Sequence, residues 1–326
     1  MQITQSVLPV PGRPGLRTGL GFLAAAAVAA CIGCTTDRRS ETPTAFVSIL
    51  PHRDVAQRIA GGRFDVRVLV GPGQSPHSYA PTPEQMAALS RAEIFFRTGV
   101  TFEHGLIPRI QRSMPKLRIV DLRRGIELRT MAEDAEHDHH HGGHDHHDGE
   151  HTHDDDHGAH GAEGKDPHIW LSPVLMKTQA ATMAESLGEL DPDGKTLYQS
   201  NLRAVHNELD SLHTHLEELL EPFRGSDFFV FHPAFGYFAD EYGLVQKAVE
   251  IEGKSPGAKA LARLMEDMEG RQPQALFVQP QFSDKSARAI ASQLGCAVVP
   301  IDPLPGAYFE DMKELGAAVR HGLKGE

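Results

Sequence analysis

Short apolar runs alternate with helical patterns along most of the chain. Runs at 45–50, 64–70, 93–97 and 117–122 in the first half have strand length, as do 228–232, 244–249, 275–279 and 297–301 in the second. Phe228-Phe229-Val230-Phe231 and Ala275-Leu276-Phe277-Val278 show no polar alternation, which suits strands buried on both faces of a parallel sheet. Helix starts lie between the runs. Thr82-Pro83-Glu84-Gln85 offers an N-cap, a proline in the first turn and a glutamine able to complete a capping box. Ser172-Pro173 and Ser255-Pro256 repeat the start, and Ser283 precedes a helical stretch, 284–294, that Gly295 can close. Strand alternating with helix predicts α/β layers built on parallel sheets.

The middle of the chain breaks this rhythm. Residues 173–190 read as helix, Asp191-Pro192-Asp193-Gly194 interrupts, and helix resumes over 195–220 until Pro222. In the second piece Leu202, Val205, Leu209, Leu212, Leu216 and Leu219 form one apolar stripe over about six turns. A helix of that length between two α/β halves predicts two lobes, each with a central, mostly parallel sheet flanked by helices, joined by one long rigid helix. An ordinary core helix would carry the same stripe.

The first 30 residues read as an export signal. Arg13 and Arg17 give a positive start, and residues 20–30 form an apolar stretch too short to span a bilayer comfortably. Val28-Ala29-Ala30-Cys31 resembles a bacterial lipobox, so Cys31 is the expected lipidation site, with Cys34 as the alternative. The expected division is signal 1–30, tether 31–43, first lobe 44–172, linking helices 173–222 and second lobe 223–326. Cys296 lies in an apolar run and is expected to be a buried thiol.

Charge adds one feature to this picture. The chain of 326 residues has a net charge of −12 and 20 histidines. Residues 133–166 hold 12 acids and one base, so nearly all of the net charge is local. The same tract carries His137, His139, His140, His141, His144, His146, His147, His151, His153, His157 and His160. With almost no apolar residue, 133–165 is expected to be a disordered loop within the first lobe. Imidazole and carboxylate at this density suit loose binding of several zinc, nickel, copper or cobalt ions; a pH-responsive solubilising spacer is the plainer reading. No basic stripe exists to bind nucleic acid.

Of the other histidines, His206, His213 and His215 are expected on the surface of the long helix, and His321 in solvent near the terminus. His77 lies in a Gly/Pro-rich loop after a strand run, His168 just before a helix start, and His232 at the end of an apolar run. Asp302 sits in the same kind of place, after Val298-Val299-Pro300-Ile301. Strand ends and loop-to-helix junctions are where ligands collect in α/β sheets. Separations of 91, 64 and 70 residues follow no local spacing rule, so the pattern alone does not make the four converge.

Several segments together resemble the zinc- and manganese-binding lipoproteins of ABC importers, the solute-binding family called cluster A-I or cluster 9. They are Pro76-His77-Ser78-Tyr79 with Pro81-Thr82-Pro83, Asp166-Pro167-His168-Ile169-Trp170, Phe231-His232-Pro233, Pro280-Gln281-Phe282-Ser283 and Ile301-Asp302-Pro303-Leu304. A His-rich tract before Asp-Pro-His is similar to that of the zinc-specific members. The resemblance implies a cleft site with His77 and His168 from the first lobe and His232 and Asp302 from the second. It also implies zinc as the transported ligand, with manganese possible, and an ABC permease and its ATPase as partners. The protein would be a monomer, held by its lipid anchor in the periplasm or at the outer face of the membrane. The chain departs from the family pattern at Ser75, Ala80, Pro233 and Gln279. Three imidazoles and a carboxylate make a closed four-coordinate shell, as a site for transport needs. A manganese- or iron-specific binder is the alternative within the family. A secreted zinc hydrolase is the rival outside it, and the chain lacks the local His-Glu-x-x-His pattern of many such enzymes.

Overall fold

The computed structural model describes residues 42–131, 164–249 and 273–325. The export segment, Cys31 and Cys34, the His-rich tract and the Ser255-Pro256 helix start lie outside them. All eight apolar runs are strands. The first four, β1 (Thr44–Ile49), β2 (Asp65–Val70), β3 (Ile94–Arg97) and β4 (Arg118–Asp121), form a parallel sheet in the order β2-β1-β3-β4. The second four, β5 (Asp227–Val230), β6 (Val245–Ala248), β7 (Ala275–Val278) and β8 (Ala297–Pro300), repeat that order as β6-β5-β7-β8, again parallel.

Helices α1 (Leu50–Ala60), α2 (Pro83–Leu89) and α3 (Thr101–Ser113) belong to the first sheet. Helices α6 (Gly236–Tyr242), α7 (Asp284–Leu294) and α8 (Tyr308–Lys324) belong to the second. Between the sheets run α4 (Pro173–Leu190) and α5 (Lys195–Leu220), interrupted where the Asp-Pro-Asp-Gly break is expected. Thr82 and Gln85 form a full capping box at α2, and Ser172 caps α4 through its hydroxyl. Ser283 precedes α7 without a side-chain cap bond, while Gly295 takes the left-handed conformation that ends it, φ 70°.

Helix α5 packs against α4, against α1 of the first lobe and against α8 of the second, so it joins the lobes as a strut, which the stripe alone left open. Its buried residues are Tyr198, Val205, Leu209, Leu212, Leu216 and Leu220. Leu220, not Leu219, closes the stripe. A pattern repeating every 3.5 residues slips around a straight helix of 3.6 residues per turn, and by the last turn the buried face has moved on by one position. Among the described residues no helix is long and apolar enough to cross a membrane. Cys296 is half-buried, and burial raises its thiol pKa.

Candidate metal centre

In parallel sheets the loops at the carboxyl ends of the strands collect ligands. Here those loops from both sheets line one cavity: His77 after β2, Thr101 after β3, His232 after β5, Gln281 and Phe282 after β7, Leu304 after β8, with His168 and Trp170 from the turn before α4. His77, His168 and His232 each turn a ring nitrogen to the others, all within 4.8 Å of one another. The Nε2 atoms of His77 and His232 are 3.0 Å apart.

Each ring is held differently. His168 is buried, and both its backbone N–H and its Nδ1–H donate to Asp166 Oδ1, at 2.9 and 2.7 Å. That fixes the tautomer and leaves the Nε2 lone pair free to bind a metal, the arrangement a carboxylate sets up behind many zinc-bound imidazoles. Asp166 is itself buried, and its backbone C=O accepts from the Tyr237 hydroxyl. His232 is buried and held through its backbone: the Gln279 side chain accepts from its N–H at 3.1 Å and donates to its C=O at 2.9 Å. Where the family pattern has glutamate, only the first of these bonds could form with an ionised side chain. Phe282 lies beside the His232 ring, with centroids 5.2 Å apart.

His77 belongs to an exposed loop and pairs through Nδ1 with Thr101 Oγ1 at 3.2 Å. Desolvation of the ring, which faces into the cavity, and then the His232 and His168 imidazoles hold its pKa down to about 3. A neutral ring is the form that binds a metal.

Asp302 stands outside this group. Its carboxylate accepts from Gln281 Nε2 and from the Leu304 N–H, both at 3.0 Å, so its contacts run along its own loop and the one after β7. It lines a neighbouring groove with Arg53 and Glu314 rather than the histidine cavity. The carboxylate expected to complete the shell is therefore not one of the clustered donors. The other histidines fall mostly as expected. His215, His321 and His104 are exposed, while His206 and His213 are half-buried and bonded to Lys177 O and Glu241. Asp166 and Gln279 were not foreseen as supports. Asp166 had a readable signal in its position two residues before His168, whereas nothing local ties Gln279 to a histidine 47 residues away.

Two parallel-sheet lobes on a long helix, with three imidazole nitrogens from both lobes converging on one cavity, define the two-lobed class of binding protein. Residues 46–321 match the family of the periplasmic zinc-uptake complex component A, ZnuA, and the chain belongs to that family. It is 30% identical over 312 residues to the high-affinity zinc uptake system protein ZnuA of Brucella abortus, covering 90% of this chain and 92% of that protein. To the protein of the same name from Bacillus subtilis it is 29% identical over 300 residues, covering 89% and 88%. A crystal structure of a ZnuA deletion mutant with zinc bound superposes with a TM-score of 0.74 at 33% identity, covering 87% of this chain and 98% of that one.

Proposed function

We propose that this chain is the zinc-binding component of an ABC uptake system, that it holds zinc between its lobes with His77, His168 and His232, and that it passes the ion to a membrane permease driven by an ATPase. The observation that carries this reading is the convergence of three imidazole nitrogens from both lobes. Neutral nitrogen donors favour zinc over manganese, which prefers more oxygen ligands. A zinc ion bound by rings from both lobes stabilises the arrangement that brings them together, and a permease can distinguish that arrangement from the empty one. Cross-lobe bonds from Trp170 Nε1–H to Pro303 O and from the Tyr308 hydroxyl to Trp170 O favour a small adjustment over a wide hinge.

The protein works outside the cytoplasm as a solute-binding protein and performs no reaction on its cargo. The expected division of the chain stands as part of this proposal: export signal 1–30, tether 31–43, first lobe 44–172, linking helices 173–222 and second lobe 223–326. A monomer is anchored through a lipid on Cys31, or Cys34, and the histidines of residues 133–165 collect zinc for the cleft.

The test is zinc titration of the full chain against a chelator, with His77→Ala, His168→Ala and His232→Ala. Each is expected to weaken the tightest site by on the order of a hundredfold or more, beyond the effect of losing a supporting partner. A tightest site that survives all three substitutions would overturn the proposal.

A further inference from the structure

Two stretches of the first lobe are clasped just before His168. Thr130 and Lys165 form an antiparallel bridge, and the Asp166 N–H donates to Arg129 O at 2.9 Å. In a regular antiparallel ladder the Arg129 N–H would return that bond directly to Asp166 O. Here a side chain of the second lobe stands between them. The Tyr237 hydroxyl accepts from the Arg129 N–H at 3.0 Å and donates to the Asp166 C=O at 2.9 Å. Tyr237 is buried in α6, the helix that starts four residues after His232. Asp166 is the carboxylate that takes the His168 Nδ1–H. One hydroxyl thus joins the segments that carry two of the clustered histidines.

The side chain of Arg129 follows the same path. Its guanidinium carbon lies 5.7 Å from the centre of the Tyr237 ring, and Nη1 lies 3.1 Å from Asp240 Oδ2, one turn further along α6. Gly236 leaves room for this approach: a Cβ there would run into Arg129 Nη1 and stand 2.9 Å from Asp166 Oδ2. A phenylalanine ring at 237 would fill the same space. What the hydroxyl adds is two bonds that cross between the lobes.

We infer that Tyr237 is a positioning residue of the zinc site: its hydroxyl ties the helix after His232 to the backbone that carries Asp166 and His168, so that zinc in the cleft and the clasp before His168 stabilise one another. The inference rests on the three-histidine reading. Zinc held by His168 and His232 draws together the segments that meet at this hydroxyl. Linkage makes the effect reciprocal, so a clasp that zinc tightens must itself raise zinc affinity.

The experiment uses the full chain in chelator-buffered zinc that fills only the tightest site. It reads the affinity of that site and the hydrogen exchange of the Arg129, Met131 and Asp166 amides with and without zinc. In the unaltered protein zinc is expected to slow exchange at all three. Tyr237→Phe is expected to weaken the site about threefold to thirtyfold, mainly through faster release, and to abolish the zinc-dependent slowing. Tyr198→Phe, which removes a hydroxyl bonded to Asp191 at the α4–α5 break, is the reference for a purely structural loss and is expected to leave zinc affinity unchanged. If Tyr237→Phe does not fold, Arg129→Ala takes its place, with an expected loss of about threefold. Clasp amides indifferent to zinc in the unaltered protein, unchanged affinity in the variant that folds, or slowing that persists in it would overturn the inference. So would an affinity loss matched by Tyr198→Phe. His168→Ala separates the two readings. Loss of the tight site there leaves the three-histidine reading standing whatever Tyr237→Phe does, and its survival would count against that reading itself.

Discussion

The two lobes share a strand order but are fastened to the linking helices in different ways. Residues 42–131 of the first lobe carry 13 Lys/Arg against 7 Asp/Glu, while residues 173–222 carry 3 against 9. The opposite charges meet directly. Arg58 pairs with Glu208, Arg63 with Asp191, Arg118 with Glu189 and Arg124 with Glu185. The second lobe meets α5 mainly through apolar packing of α8, with Gly316 lying flat against the Leu216 side chain. Its polar links are few: Arg224 to Glu217, and His213 to the Glu241 carboxylate, which also takes the Ser172 hydroxyl. The first joint is rimmed by solvent-exposed charge, and the second is a piece of hydrophobic core. Similar sheets can thus be held on one strut by forces with different sensitivity to salt and to volume.

The strongest test acts on the apolar joint. Leu216→Ala is expected to destabilise the protein by about 2–5 kcal/mol, through lost burial and the cavity left behind. Denaturant unfolding checks this, and the loss should not depend on salt.

The next acts on the first lobe, through His52 of α1. This ring is fully buried, its Nε2–H donates to Gln179 Oε1 at 2.7 Å, and desolvation holds its pKa down to about 4. The unfolded chain takes up the proton near pH 6.5 and the folded one does not, so stability falls as pH drops from about 6.5 towards 4. The span corresponds to about 3 kcal/mol. In His52→Gln this part of the pH dependence is expected to flatten. An unchanged slope in metal-free unfolding curves would show that other groups carry it.

The smallest effects belong to the charged joint. Arg118→Ala and Arg124→Ala are each expected to cost less than about 1 kcal/mol, because both partners are well exposed. The cost should shrink further in 1 M salt. If these substitutions cost as much as Leu216→Ala, the contrast between the joints would fail.

Much of this was readable from the chain because the central strands are buried on both faces. Phe228–Phe231 and Ala275–Val278 are continuous apolar runs for that reason. Helix α1 gave no such signal. It follows β1 without a loop, its N-cap position is Ile49 with no capping side chain, and its first residue reads as the end of the strand run. In the site, His77, His168 and His232 stood out because each falls at a strand end or helix start. Asp302 did too, but its carboxylate accepts from Gln281 and the Leu304 N–H, because position along the chain does not say where a carboxylate spends its lone pairs. The role of Gln279 comes from a pairing across 47 residues, which no local pattern encodes.

One small contact has a wider consequence. Thr130 and Lys165 form an antiparallel bridge, the Met131 N–H reaches Gly164 O, and the Asp166 N–H reaches Arg129 O. The two ends of the His-rich tract are thus clasped at one point, three residues before His168. Once such a clasp exists, the entropy of closing the chain between its ends grows only with the logarithm of its length, about 0.6 kcal/mol for each doubling. The tract can be lengthened, trimmed or rewritten by mutation at almost no thermodynamic penalty to the fold. The composition of the tract is therefore free to change while the fold on either side of it stays as it is.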